Sequence, residues 1–278
     1  MKKIHALLLL SMLFTLSNAE DTIIKLNYEN LNFDNSKKKD KGDRFGVFIS
    51  HKSENSLYQI AYDKTKTDTF KPPLKDDLNV DKYYLKYNYM LDDKQGISMS
   101  YATINDNLMK QTDGGNIYGI GYKYENLKLT QYFSDYENFN VYQTDLKYVL
   151  KQSFNDFETK IAFLGKYIYL EDRESNAFSK NAKENYFTAG IKLHTHYNSY
   201  HLGAGAFFGK RVFAVMQDGF KVQHHAMEFN ETYMLGVGKS FKNFDLHLKY
   251  VYQNATEIPI DSKDVKVQNI IFQFGYRF

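Results

Sequence analysis

Lysine and histidine carry most of the chemistry this sequence offers, and both recur at a spacing that repeats every second residue. Lys86, Lys123, Lys128, Lys147, Lys192 and Lys249 each stand between two apolar or aromatic neighbours, and Lys160 and Lys166 fall in the same kind of alternation. Ammonium groups gathered on one wall attract anions and disfavour cations. His194, His196, His201 and His247 form a second group. Clustered imidazoles titrate near neutrality and repel once protonated, and they also take divalent metals. The group therefore reads as a pH-sensitive rim, as an adventitious metal site, or as plain polar lining. His224-His225, with Asp218 and Glu228 nearby, is too sparse to define a metal site. The chain has no Cys, which excludes a thiolate nucleophile, a disulfide scaffold and Cys-ligated metal centres.

Strands are the elements that must position these groups. Tyr83, Leu85, Tyr87 and Tyr89 alternate with Lys82, Tyr84, Lys86 and Asn88, and Phe244, Leu246, Leu248, Tyr250 and Tyr252 alternate with Asp245, His247 and Lys249. Ile270, Phe272, Phe274, Tyr276 and Phe278 share one face of the last such segment. A period of two gives each strand two different environments. The spacing predicts fourteen strands near 22–28, 44–50, 57–63, 82–90, 96–103, 117–124, 127–133, 141–150, 157–169, 186–197, 200–211, 232–241, 244–252 and 267–278, or twelve if the first two are set aside. Glu125-Asn126, Asn198-Ser199 and Lys242-Asn243 fit two-residue hairpins, whereas 29–43, 64–81, 104–116, 170–185, 212–231 and 253–266 read as long polar connections. Short and long connections thus fall at opposite ends, as in transmembrane antiparallel up-and-down β-barrels. The 212–231 connection, with Gly219 and Phe220, is suited to fold inward and narrow the mouth.

Composition agrees. The 278 residues include 24 Tyr and 22 Phe but no Trp and only 3 Pro, with a mean hydropathy of −0.55. That aromatic load excludes disorder. Lys2-Lys3, the apolar run Ala6 to Leu16 and the small residues of Ser17-Asn18-Ala19 predict a cleaved secretory signal peptide over residues 1–19, with the barrel over 20–278. Removing Lys2 and Lys3 takes the net charge from +3 to roughly +1, which gives no support to nucleic-acid binding.

The C-terminal Ile271-Phe272-Gln273-Phe274-Gly275-Tyr276-Arg277-Phe278 resembles the assembly signal of bacterial outer-membrane β-barrel proteins. The size and strand number are similar to those of monomeric fourteen-stranded porins. The resemblance implies an integral barrel in the outer membrane of a Gram-negative cell, surrounded by lipid and lipopolysaccharide. It also implies that the barrel-assembly machinery recognises Phe274, Tyr276 and Phe278. The missing Trp departs from the usual interfacial girdle and leaves that role to Tyr and Phe.

In such a barrel the apolar faces meet lipid and the polar faces enclose the lumen. On this register the lumen carries Lys25, Arg44, Lys82, Lys86, Lys123, Lys128, Lys147, Lys160, Lys166, Lys192, Arg211, Lys249 and Arg277 against Asp63, Asp145, Glu158 and Asp245. Lys123 and Lys128 face each other across a two-residue turn, and so do His196 and His201. Lys239 falls on the lipid face beside a short turn. The expected function is a passive channel for small hydrophilic solutes, preferentially anions, without cofactor. The alternatives are a closed barrel with a partner-binding or structural role, and an outer-membrane lipid hydrolase. The hydrolase needs adjacent Ser and His on the outer wall, whereas His51-Lys52-Ser53 sits in a turn and the clustered histidines face inward.

Overall fold

The computed structural model describes residues 22–72, 74–175 and 179–278; the signal peptide expected over 1–19 lies outside them. In chain order the strands are β1 (Thr22–Asp34), β2 (Lys39–Ser53), β3 (Ser56–Thr69), β4 (Leu78–Met90), β5 (Gln95–Asp106), β6 (Asn116–Tyr124), β7 (Leu127–Tyr136) and β8 (Phe139–Phe154). They continue with β9 (Phe157–Glu171), β10 (Asn185–Tyr197), β11 (Tyr200–Arg211), β12 (Val215–Met216), β13 (Lys221–Val222), β14 (Met227–Ser240), β15 (Phe244–Glu257) and β16 (Ser262–Arg277). Fourteen of these, all but β12 and β13, pair with their sequence neighbours, and β16 closes on β1. The closing register runs antiparallel from Ile23↔Arg277 to Asp34↔Lys266. Closure satisfies every strand edge internally, which a sheet in hydrocarbon requires.

The outer surface over the middle of the barrel is apolar, with Leu26, Leu85, Ile120, Leu129, Leu235 and Phe272 exposed. Aromatic rings bound this band. Tyr58, Tyr124, Tyr197, Tyr200 and Phe244 are exposed beside the short turns, as are Phe274, Tyr276 and Phe278 at the C-terminal end. Lys239 is there too, with its Nζ 4.9 Å from the Tyr200 ring centroid and 5.5 Å from that of Phe241. At the other limit, the hydroxyls of Tyr28 and Tyr62 donate at 2.5 Å to Asp43 and Asp81, and that of Tyr233 donates at 2.8 Å to Glu231. Carboxylates on the outer wall begin there, so these rings mark the outer interface.

Past that interface the strands continue, and their polarity inverts. In β4 the lipid-level pattern is Tyr83 and Leu85 outward against Lys82 and Lys86 inward, but one turn of the pleat further out Leu78 and Val80 point inward and Asn79 and Asp81 outward. Ile104, Val141, Ile168 and Leu170 repeat the inversion on other strands, all buried inside. Segments expected to be polar loops are therefore strand extensions around an apolar interior. The connections shrink accordingly: residues 29–43 reduce to 35–38, and 253–266 to 258–261.

Candidate functional site: an occluding hairpin over a basic vestibule

Residues 212–226 connect β11 to β14 and fold into the lumen instead of away from it. Their inner half is apolar, Val212-Phe213-Ala214-Val215-Met216, and all five residues are buried. The Phe213 ring lies 4.8 Å from Phe139 and 6.0 Å from Tyr136. Burying such side chains contributes about 1.5–3 kcal/mol each. Val215 pairs with Val222 and Met216 with Lys221, which makes β12 and β13 a short hairpin. At its tip Gln217, Asp218 and Gly219 all take positive φ, at 54°, 55° and 106°. The glycine adopts that conformation freely and the aspartate tolerates it. Phe220 then packs against Phe48, with ring centroids 5.2 Å apart.

Polar wall residues hold the hairpin by its backbone. Gln143 reads both sides of Val215, accepting from its N–H at 2.8 Å and donating to its carbonyl at 2.7 Å. The ammonium groups of Lys82, Lys86 and Lys166 donate to the carbonyls of Val222, Asp218 and Val215 at 3.1, 2.6 and 3.0 Å. The Asp218 carboxylate pairs with Lys147 at 2.9 Å. Burial pushes the Asp218 carboxyl up, but the ammonium groups of Lys147, Lys86 and Lys128 outweigh this and hold it far below the usual carboxylate range. At the hairpin's base Lys221 meets Glu29 at 3.3 Å and His224 meets Asp106 at 2.9 Å. Burial and the nearby Lys82 ammonium push His224 down to about 4 despite Asp106. His225 is likewise held well below its ordinary value by burial and by Lys39, whose Nζ sits 2.9 Å from its Nδ1.

Beneath the tip lies the vestibule. One cavity of about 240 Å³ is lined by Lys128, Lys147, Lys160, Lys166 and Lys192 with Asp145 and Asp218 as its acids. A second, of about 290 Å³, shares Lys192 and His194 with the first and adds Lys25, Lys249, His201 and His247 without any carboxylate. Of the lysines expected to line the lumen, Lys128, Lys147, Lys160, Lys166, Lys192 and Lys249 line these two cavities, in differing surroundings. Lys86 and Lys166 are capped by the hairpin, and Lys166 is ion-paired with Asp145. Lys123 and Lys128 are cross-strand partners, and Lys128 in turn opposes Lys147, so three lysines form a row across β6, β7 and β8. Lys192 lies over the Phe207 ring at 5.4 Å. His196 and His201 are also cross-strand partners, as the two-residue turn requires. His194, His196 and His201 form one cluster, and the His201 and His247 rings are 5.0 Å apart.

Several residues of this site were not legible as functional from the sequence: Gln143, Lys82 and Asp106 as docking points, Glu29 as a lumen carboxylate, and the hairpin's apolar leg. The run Val212 to Met216 was the available signal, since an uninterrupted apolar pentapeptide is out of place in a polar loop.

The fold is that of an integral outer-membrane β-barrel. The sequence matches no protein-family model and no curated protein. Among solved structures the chain is similar to a bacterial polysaccharide outer membrane secretin, at 9% identity over 93% of this chain and 99% of that one, with a TM-score of 0.55. It is also similar to the toluene transporter TbuX of Ralstonia pickettii, at 8% identity over 94% and 90% with a TM-score of 0.52. The toluene transporter TodX of P. putida follows at 10% identity over 95% and 92%, with a TM-score of 0.50. At these identities the likeness is one of architecture.

Proposed function

We propose that the protein is an outer-membrane channel for passive diffusion of small hydrophilic solutes, preferring anions, and that the hairpin 212–226 occludes it at rest. The observation that carries this reading is the excess of ammonium groups in the vestibule: Lys25, Lys128, Lys147, Lys160, Lys166, Lys192 and Lys249 line its two cavities, against Asp145 and Asp218 in the lining and Glu158 and Asp245 beside it. Low-dielectric walls focus that field onto solutes that enter. Asp218, tethered among Lys86, Lys128 and Lys147, takes a position suited to a passing oxyanion, so solute anions compete with it for the lysine row. The clustered histidines face the lumen, away from the lipid where a hydrolase would work, and no catalytic step is assigned. Phe274, Tyr276 and Phe278 serve recognition by the barrel-assembly machinery, with outer-membrane lipid and lipopolysaccharide around the finished barrel.

The apolar packing around Phe213 also favours a second reading, a permanently closed barrel. Planar-bilayer recording under a salt gradient decides between them. The channel reading expects conductance steps with an anion-selective reversal potential; cation selectivity refutes the anion preference, and silence even after removal of the hairpin refutes the channel.

A further inference from the structure

Four imidazoles meet on one patch of the vestibule wall toward its short-turn rim. His194 and His196 stand two apart on β10 and share its inner face, and His201 lies directly across on β11. One ligand nitrogen from each of the three falls within 4.8 Å of the others. Two imidazoles at i and i+2 on a strand, with a third from the neighbouring strand, present three nitrogens as one face of a tetrahedral ion, and rotation about the side-chain torsions contracts that face to zinc–nitrogen distances of ~2.0–2.1 Å.

The surroundings of the cluster are arranged for such a face. The fourth imidazole, His247 on β15, reaches His201 because the residue between them on β14 is Gly238, cross-strand partner of both. A Cβ at that position would come within 2.2 Å of His247 Nδ1. His201 Nε2 bonds the Ser240 hydroxyl at 2.6 Å, which leaves its Nδ1 buried without a partner. Asp245 lies 3.1 Å from His247 Nε2. A hydroxyl or carboxylate on the remote ring nitrogen is what fixes the tautomer and orientation of a metal-binding histidine. Glu158 opposes His196 and adds a carboxylate, whereas Lys160 opposes His194. Lysines this close disfavour hard cations held by charge, so the site selects an ion that bonds imidazole nitrogen directly. In the other candidate group, Asp106, His224 and His225, the His224 Nε2 is engaged by Asp106 and the His225 Nδ1 by Lys39, which leaves only His225 Nε2 open beside a buried ammonium.

We propose that His194, His196 and His201, with His247 as fourth ligand, bind one zinc-class divalent ion at the vestibule rim. The ion ties β10, β11 and β15 together across Gly238, and the proposal is independent of what the barrel conducts. The test is a zinc titration of the untagged, detergent-folded protein against a chromophoric chelator at neutral pH. Cobalt substitution follows, to report coordination through its visible ligand-field bands. Expected are saturation at one ion per chain, cobalt bands of a four-coordinate site, and loss of both in the double variant His196→Gln with His201→Gln. Asp245→Asn should weaken affinity by about tenfold, and His224→Gln should leave it unchanged. Absence of saturable binding overturns the proposal. So does binding that survives the double variant, or binding abolished by His224→Gln. Heat-modifiable electrophoretic mobility confirms that each variant barrel is folded.

Discussion

The interior of this barrel is divided in two. On the long-connection side of Lys86 and Lys166 the wall presents Leu78, Val80, Ile104, Val141, Ile168 and Leu170 to the apolar leg of a hairpin, and these side chains are essentially unexposed. On the other side it presents lysines and histidines to open space. The same strands build both halves, so the difference comes from what lies outside the wall. Where lipid touches the sheet, apolar side chains must face out and the polar ones are left for the lumen. Beyond the membrane, water touches the outer wall, and the apolar side chains turn inward, where they need something to pack on. The hairpin 212–226 supplies it. The first half behaves as a small soluble core and the second as a polar lumen.

Removing the hairpin should erase the distinction most completely. Replacing residues 213–225 by a short Gly-Ser link is expected to raise single-channel conductance severalfold while the barrel still folds and keeps its heat-modifiable mobility; unchanged conductance would show that the hairpin is not the obstruction. Next in size is Phe213→Ala, which empties the space against Tyr136 and Phe139. Large-to-small changes of this kind cost about 3–5 kcal/mol, and the expected result is frequent long openings and faster proteolysis within 212–226.

Acid should act on the same docking more gently. Docking holds His224 as the neutral imidazole at about 4 against an ordinary value of 6.5. Its support is therefore complete above 6.5 and fades as pH falls from 6.5 toward 4, by up to about 3 kcal/mol for this buried group. Lys39 and Lys82 resist the incoming proton and Asp106 favours it. Open probability should rise on acidification and stay flat above neutrality; His224→Gln should remove part of the rise, and His224→Gln with His225→Gln most of it, because burial also holds His225 neutral. The smallest effect is expected for Asp218→Asn, which releases Lys147. For a pair that water reaches, docking weakens by at most about 1 kcal/mol, while the reversal potential moves further toward anions.

Much of this architecture was legible. Lipid imposes one polarity of alternation over ~25 Å of wall, so strand number and register followed from a period of two. Pairings such as Lys123 with Lys128 and His196 with His201 followed from two-residue turns. The outer half was misread as loop because Asn79 and Asp81, or Lys266 and Gln268, look polar until the inward Val80 and Val267 between them are recognised as the same alternation inverted. Inward folding of the connection was anticipated from Gly219 and Phe220, but not its grip. Lys82, Lys86 and Lys166 hold main-chain carbonyls, and a carbonyl leaves no mark in a side-chain pattern.

The most direct test of a dry half above a wet half uses the chain's lack of cysteine. A single thiol is introduced in each half, as Val80→Cys or Lys192→Cys, and exposed to a membrane-impermeant thiol reagent. The account predicts rapid labelling of Lys192→Cys and none of Val80→Cys until residues 213–225 are removed. Labelling of Val80→Cys in the intact protein at a rate comparable to Lys192→Cys would contradict it.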